Sequence, residues 1–426
     1  MSVAAGRGRV PAPEGGSAPS GSSGWSARDG AGERIRVTHV ISGLELGGAE
    51  TMLYRLLDAS DRARFEHSVI SLSSFGPLAP SIAALEVRVS ALGMRRGRLQ
   101  ARPLGRLARG LASRRPHVVH TWMDHANLLG GLLARAGRGP RSGAKVLWGV
   151  HGSLHPRESK RSSRVTSRAC TVIARRVPDR VVSCSQRLAE MLVEQGYDAG
   201  RMTVIPNGFD LSWFRPEPAR GRALRAQLGV GETETIVGLA GRYHPQKDHR
   251  SFVRAAGIVA RARADVRFLL CGSGVEGANR ELMGWIAQAG IAQRCILLGP
   301  VADMRDVFNA IDLLVCSSSF GEAFPLVLGE AMACGLPCVT TAVGDAAAIV
   351  GDAGRVVPIR DPGALAEEIL SSLSMSPAER QAAASAARAR IEERYDLAAV
   401  TTAFERLYLD LCGGAFGSPP AGAGLP

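Results

Sequence analysis

The feature that most constrains this chain is the alternation of short apolar runs with longer helical patterns along most of its length. Such alternation predicts parallel sheets whose two faces are covered by helices. A chain of 426 residues exceeds one ordinary core, so two domains are expected. The apolar runs span residues 35–41, 67–72, 87–92, 117–121, 145–150 and 180–185, then 235–241, 266–272, 295–299, 312–317 and 336–341.

A segment rich in proline and turn-forming residues, 205–218, separates the two series of runs and predicts a domain boundary there. Both ends of the chain are rich in Gly, Ser, Pro and Ala, which predicts disorder, and the first end lacks the apolar core of a signal peptide. The predicted division is a disordered tail over 1–33, a first domain over 34–208, a second domain over 209–395, a last helix over 396–412 and a second disordered tail over 413–426.

The net charge of +13 is carried almost wholly by arginine, because lysine occurs only at positions 145, 160 and 247. Arginines concentrate in residues 95–98, 102–115 and 157–168. A compositional bias towards Arg, Ala and Gly accounts for most of them, and the alternative is a basic surface for an anionic membrane or polymer.

The eight cysteines lie mostly in apolar runs and show no zinc-type spacing. We therefore expect reduced thiols, no metal site and a cytoplasmic location. No apolar run approaches the roughly 18 residues of a membrane span.

Four loops that follow predicted strands contain the residues most suited to ligand binding, since parallel sheets bind ligands beyond the carboxyl ends of their strands. In the loop 43–50, Gly47 and Gly48 precede a helix and suit a phosphate at its N-terminus, with a plain tight turn as the alternative. In the loop 241–248, Arg242 and Lys247 would place two cations on one diphosphate. A solvated basic loop is the alternative for this segment.

The third loop, 271–274, is a turn of small residues, and on its own it indicates no more than a turn. The fourth, 317–337, places Glu322 in a loop after a strand and Glu330 eight residues later in an apolar helix. A carboxylate in that helix needs a partner, so an exposed Glu330 is the weaker interpretation. Two carboxylates accept hydrogen bonds from a sugar and a ribose, while amides near residues 324–326 suit a phosphate.

Together these motifs, with the PNGFD turn and the run VLGEAMACGLPCVTT, resemble the retaining glycosyltransferases of family 4. The similarity extends over nearly the whole ordered chain and is strongest to members that build capsular polysaccharides, exopolysaccharides and similar cell-envelope glycans. It implies an α/β protein of the GT-B fold, in which two Rossmann-like doubly wound domains face each other across a cleft. It also implies that the last helix crosses back to the first domain.

The resemblance implies a role for each matching residue. Arg242 and Lys247 would stabilise the departing nucleotide diphosphate without a metal or cofactor. Glu330 would hold the ribose hydroxyls and Glu322 the hydroxyls of the donor sugar. The departing phosphate itself would deprotonate the acceptor on the same face. The remaining donor-binding residues would be Gly47, Gly48, Gly241, Gly272, Phe324, Pro325 and Leu326.

Two positions depart from the family pattern. Trp122 stands where many relatives have a histidine that contacts the donor sugar, which leaves His125 and His151 as the candidates for catalysis on the acceptor side. A purely structural role is the alternative for each of these two histidines. Ala342 stands where close relatives usually have aspartate, which puts any contact from that position in doubt.

The expected partners are a nucleotide diphosphate sugar and a glycan, lipid-linked or small-molecule acceptor, with peripheral contact at the inner face of the plasma membrane. A nucleotide-sugar 2-epimerase shares the implied architecture, but no matching acid/base motif is present. A binder of nucleic acid or another anionic polymer is the non-catalytic alternative, although aromatic residues make up only 5% and no stacking platform appears.

Overall fold

The computed structural model describes residues 33–95, 100–137, 143–152, 161–231 and 233–413. Apart from residues 33 and 413, both predicted tails lie outside these ranges. Two parts of the arginine clusters, 96–98 and 157–160, also lie outside them. Within the described ranges, none of the helices has both the length and the apolar character needed to cross a bilayer.

The first domain is built on a sheet of seven parallel strands in the order β3-β2-β1-β4-β5-β6-β7. Six of them coincide with predicted runs, and the edge strand β7 was not predicted because its three residues are interrupted by a polar threonine, Thr203. Six of the seven residues of β1 are buried, which fits a central strand covered on both faces. The strands are β1 Ile35–Ile41, β2 Phe65–Ser71, β3 Arg88–Ala91, β4 Val118–Trp122, β5 Lys145–Val150, β6 Arg180–Ser183 and β7 Met202–Val204.

Helices connect these strands and cover the sheet. One of them explains the arginine cluster at 102–115, because it buries Leu107 and Leu111 and exposes Arg109. The helices are α1 Gly48–Ala59, α2 Ala79–Ala84, α3 Ala101–Arg114, α4 Asp124–Ala136, α5 Arg161–Ile173 and α6 Gln186–Glu194.

The second domain repeats the plan with six parallel strands in the order β10-β9-β8-β11-β12-β13. Its strands are β8 Thr235–Ala240, β9 Val266–Cys271, β10 Cys295–Leu297, β11 Leu313–Cys316, β12 Cys338–Thr341 and β13 Arg355–Val357. Its helices are α7 Pro218–Gln227, α8 His249–Ala262, α9 Arg280–Gln288, α10 Met304–Ala310, α11 Leu326–Ala333, α12 Ala346–Val350, α13 Pro362–Leu373 and α14 Pro377–Tyr395, followed by α15 Leu397–Leu411.

Strand order reverses once in each sheet, between β1 and β4 in the first and between β8 and β11 in the second. In doubly wound sheets, a crevice opens at this switch point, beyond the carboxyl ends of the two strands, because their connections leave in opposite directions. The loops after β8 and β11 are those that hold Arg242, Lys247 and Glu322. The topology therefore brings together residues that lie about 75 positions apart in the chain.

The two chain segments that cross between the domains are hydrogen-bonded to each other. Phe209 N donates to Tyr395 O at 2.9 Å, and Leu397 N donates to Phe209 O at 3.0 Å. Gly208 fits tightly here, since a Cβ on it would lie 2.9 Å from the Leu397 Cα. The connection between the domains is thus a packed pair of segments.

The last helix, α15, packs against α1 of the first domain. Its Tyr408 hydroxyl is 2.9 Å from the His120 Nδ1, and its Glu405 carboxylate accepts a bond of 2.8 Å from the Ser60 hydroxyl. Beneath it, His39 and His67 are buried and joined by a hydrogen bond of 3.0 Å. These contacts anchor the end of the described chain to the first sheet.

Candidate active site

The loop after β8 carries two cations of different exposure. Arg242 is exposed, and its Nη2 donates to Gln246 Oε1 at 3.4 Å. Lys247 ends a short 3-10 turn and reaches back beneath the loop, where its side-chain carbons pass close to Gly241. A Cβ on Gly241 would lie 3.2 Å from the nearest of those carbons, so a glycine leaves room for the lysine.

Lys247 forms an ion pair with Glu322, the carboxylate in the loop after β11. The two side chains are only 19% and 12% exposed, and the Ser318 hydroxyl donates a further bond of 3.0 Å to the same carboxylate oxygen. Burial is the largest single influence on Lys247 and acts to lower its pKa. The charge and hydrogen bond of Glu322, together with the nearby Cys316, outweigh burial, so the pKa of Lys247 is raised. Lys247 is therefore a fixed cation at the switch point of the second sheet.

The loops after β8 and β11 are also joined by a serine hydroxyl and by a backbone amide. Ser317 Oγ donates to Lys247 O at 2.8 Å, and Ser319 N donates to Gln246 O at 2.9 Å. These bonds fix the backbone on either side of the ion pair, so that its geometry does not depend on the two side chains alone.

Gly272 lies against the backbone of the Arg242 loop. It has φ +136°, a conformation that favours glycine, and a Cβ there would lie 2.2 Å from Gly241 O. Its position supports the shape of the neighbouring loop, and its predicted contact with a donor stays a prediction.

Glu330 lies in α11 and is largely buried, with 15% of its side chain exposed. The alternative that Glu330 is exposed is therefore wrong. Its Oε1 accepts a hydrogen bond of 2.6 Å from Arg55 Nη2. Arg55 belongs to α1 in the first domain, so this ion pair joins the two domains.

The N-termini of α1 and α11 approach each other across the space between the domains. A Cβ on Gly48 would lie 3.6 Å from Leu326 Cδ1. Gly47 is the N-cap of α1 and Pro325 the N-cap of α11, so the first backbone amides of both helices lie near this contact. Phe324 packs its ring against Phe209 and Tyr395, and only its backbone is available to a ligand. Two helix N-termini with their partial positive charge suit an anion between them.

The two candidate histidines have different surroundings in the first domain. His151 follows β5 and stacks on Trp122, with ring centroids 4.7 Å apart, and burial lowers the pKa of His151 to about 4. His125, in the first turn of α4, lies 3.4 Å from the Thr166 hydroxyl of α5. Trp122 is fully buried and its Nε1 donates to His39 at 3.1 Å. The tryptophan that departs from the family pattern is therefore part of the core.

The carboxyl end of β4 contains a strained residue and a perturbed acid that sequence reasoning did not select. Met123 has φ +74°, which is rare for a residue with a side chain and typical of functional turns. Burial raises the pKa of the adjacent Asp124 carboxyl to about 6. Both lie at the switch point of the first sheet, on the side of the histidines.

Asp345 makes a second interdomain contact that sequence reasoning missed. Its carboxylate accepts bonds from Ser185 Oγ at 3.0 Å, Gln186 N at 2.7 Å and Arg187 N at 3.0 Å at the start of α6. A carboxylate at a helix N-terminus complements the free amides and the dipole. No local pattern identifies this contact, because the helix that Asp345 caps is about 160 residues away. Ala342, close by in the same loop, is exposed and has no carboxylate to contribute.

Comparison with known families matches both halves of the chain. The profile described as "Glycosyltransferase Family 4" matches residues 46–213, and the one described as "Glycosyl transferases group 1" matches residues 234–375.

Two curated relatives each match about half of this chain. D-inositol 3-phosphate glycosyltransferase of Mycobacterium sp. (strain KMS) is 36% identical over 211 residues, which is 48% of this chain and 47% of that protein. The UDP-Gal:alpha-D-GlcNAc-diphosphoundecaprenol alpha-1,3-galactosyltransferase of Escherichia coli is 27% identical over 227 residues, which is 53% of this chain and 57% of that protein. The chain thus spans about half the length of the curated relatives it matches.

Solved structures match over both domains. Anabaena HepE in complex with UDP superposes with a TM-score of 0.77 at 23% identity, covering 88% of this chain and 100% of that one. A glycosyltransferase from Rickettsia africae superposes with a TM-score of 0.75 at 17% identity, covering 90% and 100%. These matches, with the two doubly wound sheets, confirm the predicted GT-B fold.

Proposed function

Because the chain belongs to glycosyltransferase family 4, we propose that it is a retaining glycosyltransferase that moves a sugar from a nucleotide diphosphate sugar to a glycan, lipid-linked or small-molecule acceptor. The observation that carries this proposal is the Lys247–Glu322 pair at the switch point of the second sheet. A buried cation whose partner, Glu322, lies three residues before the N-cap of α11 is suited to a diphosphate leaving group.

Each donor-side residue has a proposed task in the reaction. Lys247 and Arg242 neutralise the charge that grows on the diphosphate as the bond between the sugar C1 and the phosphate oxygen breaks. The amides at the start of α11 bind the same phosphates. Glu322, once the donor is present, shares Lys247 with the phosphate and accepts from a sugar hydroxyl. Glu330 accepts from the ribose hydroxyls.

Acceptor attack occurs on the face from which the diphosphate departs. The acceptor oxygen forms its bond to C1 while its proton passes to an oxygen of the departing phosphate, so the anomeric configuration is retained. His151 has a lowered pKa and is neutral near pH 7, so its proposed task on the acceptor side is hydrogen bonding. His125, and the adjacent acid Asp124, are the other acceptor-side candidates.

Two further properties belong to the proposal. Transfer needs no metal, since the two cations supply the positive charge, and EDTA then leaves the rate unchanged.

The protein also approaches an anionic membrane at the cytoplasmic face. Support for this comes from α5, which exposes Val165 and Val172 one heptad apart, 67% and 79% exposed, beside the exposed Arg168. Co-sedimentation with phosphatidylglycerol vesicles, but not with phosphatidylcholine vesicles, is the expected result.

A donor panel tests the proposed function. Thermal unfolding is measured with UDP-, GDP-, ADP- and TDP-sugars, starting with UDP-glucose and UDP-galactose. A donor at 100 times its Kd adds about 2.7 kcal/mol of stability. We expect one nucleotide class to raise the Tm, and the Glu330→Ala variant to lose that rise. An unchanged Tm with every donor would contradict the proposal.

A further inference from the structure

Arg55 is an arginine on the buried side of α1, where its neighbours Met52, Leu53 and Leu56 belong to the apolar core. Only 8% of the residue is exposed. Arginine is rarely buried to this extent without partners, because the removal of its charge from water is costly.

Three kinds of contact fix the Arg55 guanidinium. Its Nη1 donates to Gly208 O at 3.1 Å, in the segment that joins the domains. Its Nη2 donates to Glu330 Oε1 at 2.6 Å. Its flat group also lies near the rings of Phe209 and Phe214, with the central carbon 5.6 and 5.4 Å from their centroids. A guanidinium held on several sides has one orientation, and it imposes that orientation on the carboxylate it binds.

The ion pair with Arg55 uses only part of the hydrogen-bonding capacity of the Glu330 carboxylate. The bond from Arg55 uses Oε1, and a carboxylate has about four acceptor sites on its two oxygens. Glu330 can therefore accept from a ligand diol while it remains bound to Arg55. Since α11 surrounds Glu330 with apolar residues, Arg55 is also the group that offsets its buried charge.

We propose that Arg55 is a positioning residue for nucleotide recognition, which orients the Glu330 carboxylate towards the ribose hydroxyls of the donor. This inference rests on the proposed function of the cleft. Because Arg55 comes from the first domain and Glu330 from the second, the carboxylate is oriented only when the domains are closed. Recognition of the ribose is thereby linked to closure of the cleft.

The contact of Asp345 with α6 provides a matched control, because it also joins the domains and its side chain does not touch Glu330. If Arg55 acts only by holding the domains together, an Asp345→Asn variant changes binding in the same way. If Arg55 acts by orienting Glu330, only the Arg55 variants change the response to the ribose hydroxyls.

Titration calorimetry with the full chain separates these cases. UDP, ADP and GDP are measured first, and the tightest of them is then compared with its 2′-deoxy and 3′-deoxy counterparts. In the wild type, we expect loss of a hydroxyl that bonds to a carboxylate to weaken binding by about 10-fold or more. The quantity compared is the ratio of the Kd of the deoxy nucleotide to the Kd of the parent nucleotide. In Arg55→Met this ratio falls below about 3-fold, as it does in Glu330→Ala. Asp345→Asn keeps the full ratio even if its affinity for every nucleotide falls.

Arg55→Lys retains the charge, but a single ammonium group cannot contact Gly208 and Glu330 together as the guanidinium of arginine does. We therefore expect a ratio between those of the wild type and Arg55→Met. It also keeps the test valid if Arg55→Met fails to fold. The positioning role would be overturned if Arg55→Met kept the wild-type ratio, or if Arg55→Lys kept it where Arg55→Met does not fold. It would also be overturned if Asp345→Asn lost the ratio to the same extent as the Arg55 variant. A wild type that binds none of the three diphosphates would instead overturn the proposed function, and with it this inference.

Discussion

Replacement of Lys247 by methionine removes the buried cation of the donor site and keeps an unbranched side chain of similar length. The substitution leaves Glu322 with the Ser318 hydroxyl as a partner but without a positive charge. Loss of one member of a buried ion pair typically costs 3–5 kcal/mol. Because the two side chains are still 19% and 12% exposed, we expect the lower end of that range, about 3 kcal/mol.

The companion change Glu322→Gln removes the other charge and keeps the shape of the side chain. In the double variant, Lys247→Met with Glu322→Gln, no uncompensated charge is left. Replacement of both members of a buried pair is often nearly neutral, so the double variant is expected to recover to within about 1 kcal/mol of the wild type.

Activity should not recover in the same way. Each single change removes an interaction of the transition state, which lowers kcat by about 10²–10³-fold, and the double variant has neither group. Urea titration measures the stability of the four proteins, and release of nucleoside diphosphate measures their kcat.

Two results would refute this reasoning. If the double variant is no more stable than Lys247→Met, the two charges are not coupled as their contact implies. If Lys247→Met turns over within about 3-fold of the wild type, Lys247 does not stabilise the leaving group.

Three further predictions concern the surrounding structure. Burial lowers the pKa of His67 to about 4, whereas unfolded histidine titrates near 6.5, so the unfolded state binds protons first as the pH falls. The contribution of His67 to stability is therefore present above pH 6.5 and lost towards pH 4, by roughly 2 kcal/mol at pH 5. Other buried histidines with lowered pKa values, among them His151 and His249, add losses of their own, so His67→Gln should reduce the fall in urea-measured stability between pH 7 and 5 by about 2 kcal/mol and not abolish it. Gly272→Ala forces a Cβ to within 2.2 Å of Gly241 O at φ +136°, so we expect a loss of about 1–3 kcal/mol in thermal unfolding. Gly277→Ala, with no atom within 4 Å, should change stability by less than about 0.5 kcal/mol, and equal effects at the two glycines would argue against strain. Asp345→Asn weakens the cap on α6 and should enlarge the radius of gyration of the donor-free protein in small-angle scattering, whereas an unchanged radius would mean that this contact does not hold the domains closed.

Much of the fold could be predicted from the sequence because both sheets consist of short, buried, parallel strands. Their apolar runs are visible without any knowledge of partners, as in β1 and β8. The strands β7 and β13 were missed because each has three residues and includes a polar one, Thr203 or Arg355, so no clear apolar run marks them. The strand β10 is equally short and also lies at a sheet edge, but its residues are all apolar, and its run was predicted. Helix α3 was interpreted only as an arginine cluster, although its leucines Leu104, Leu107 and Leu111 lie three and four residues apart, the spacing of an amphipathic helix.

The donor-side residues could be predicted because they follow strands whose positions were clear. Lys247 and Glu322 meet in space because the sheet topology places their loops side by side, which explains why their positions after neighbouring strands were sufficient to group them. The partner of Glu330 could not be found in this way. Arg55 lies 275 residues from it, and their contact depends on how the two domains close. An arginine between apolar helix positions was the available signal, but it does not specify the partner.

Sugar transfer at this cleft is tested most directly by following a ¹³C-labelled sugar from its nucleotide donor into product by NMR, with and without a candidate acceptor. The donor is the nucleotide sugar that stabilises the protein in the thermal panel, and the acceptors are lipid-linked and free saccharides. We predict an acceptor-dependent glycoside with the anomeric configuration of the donor, together with one equivalent of nucleoside diphosphate. An epimerised donor sugar formed without acceptor, or a product of inverted configuration, would contradict retaining transfer.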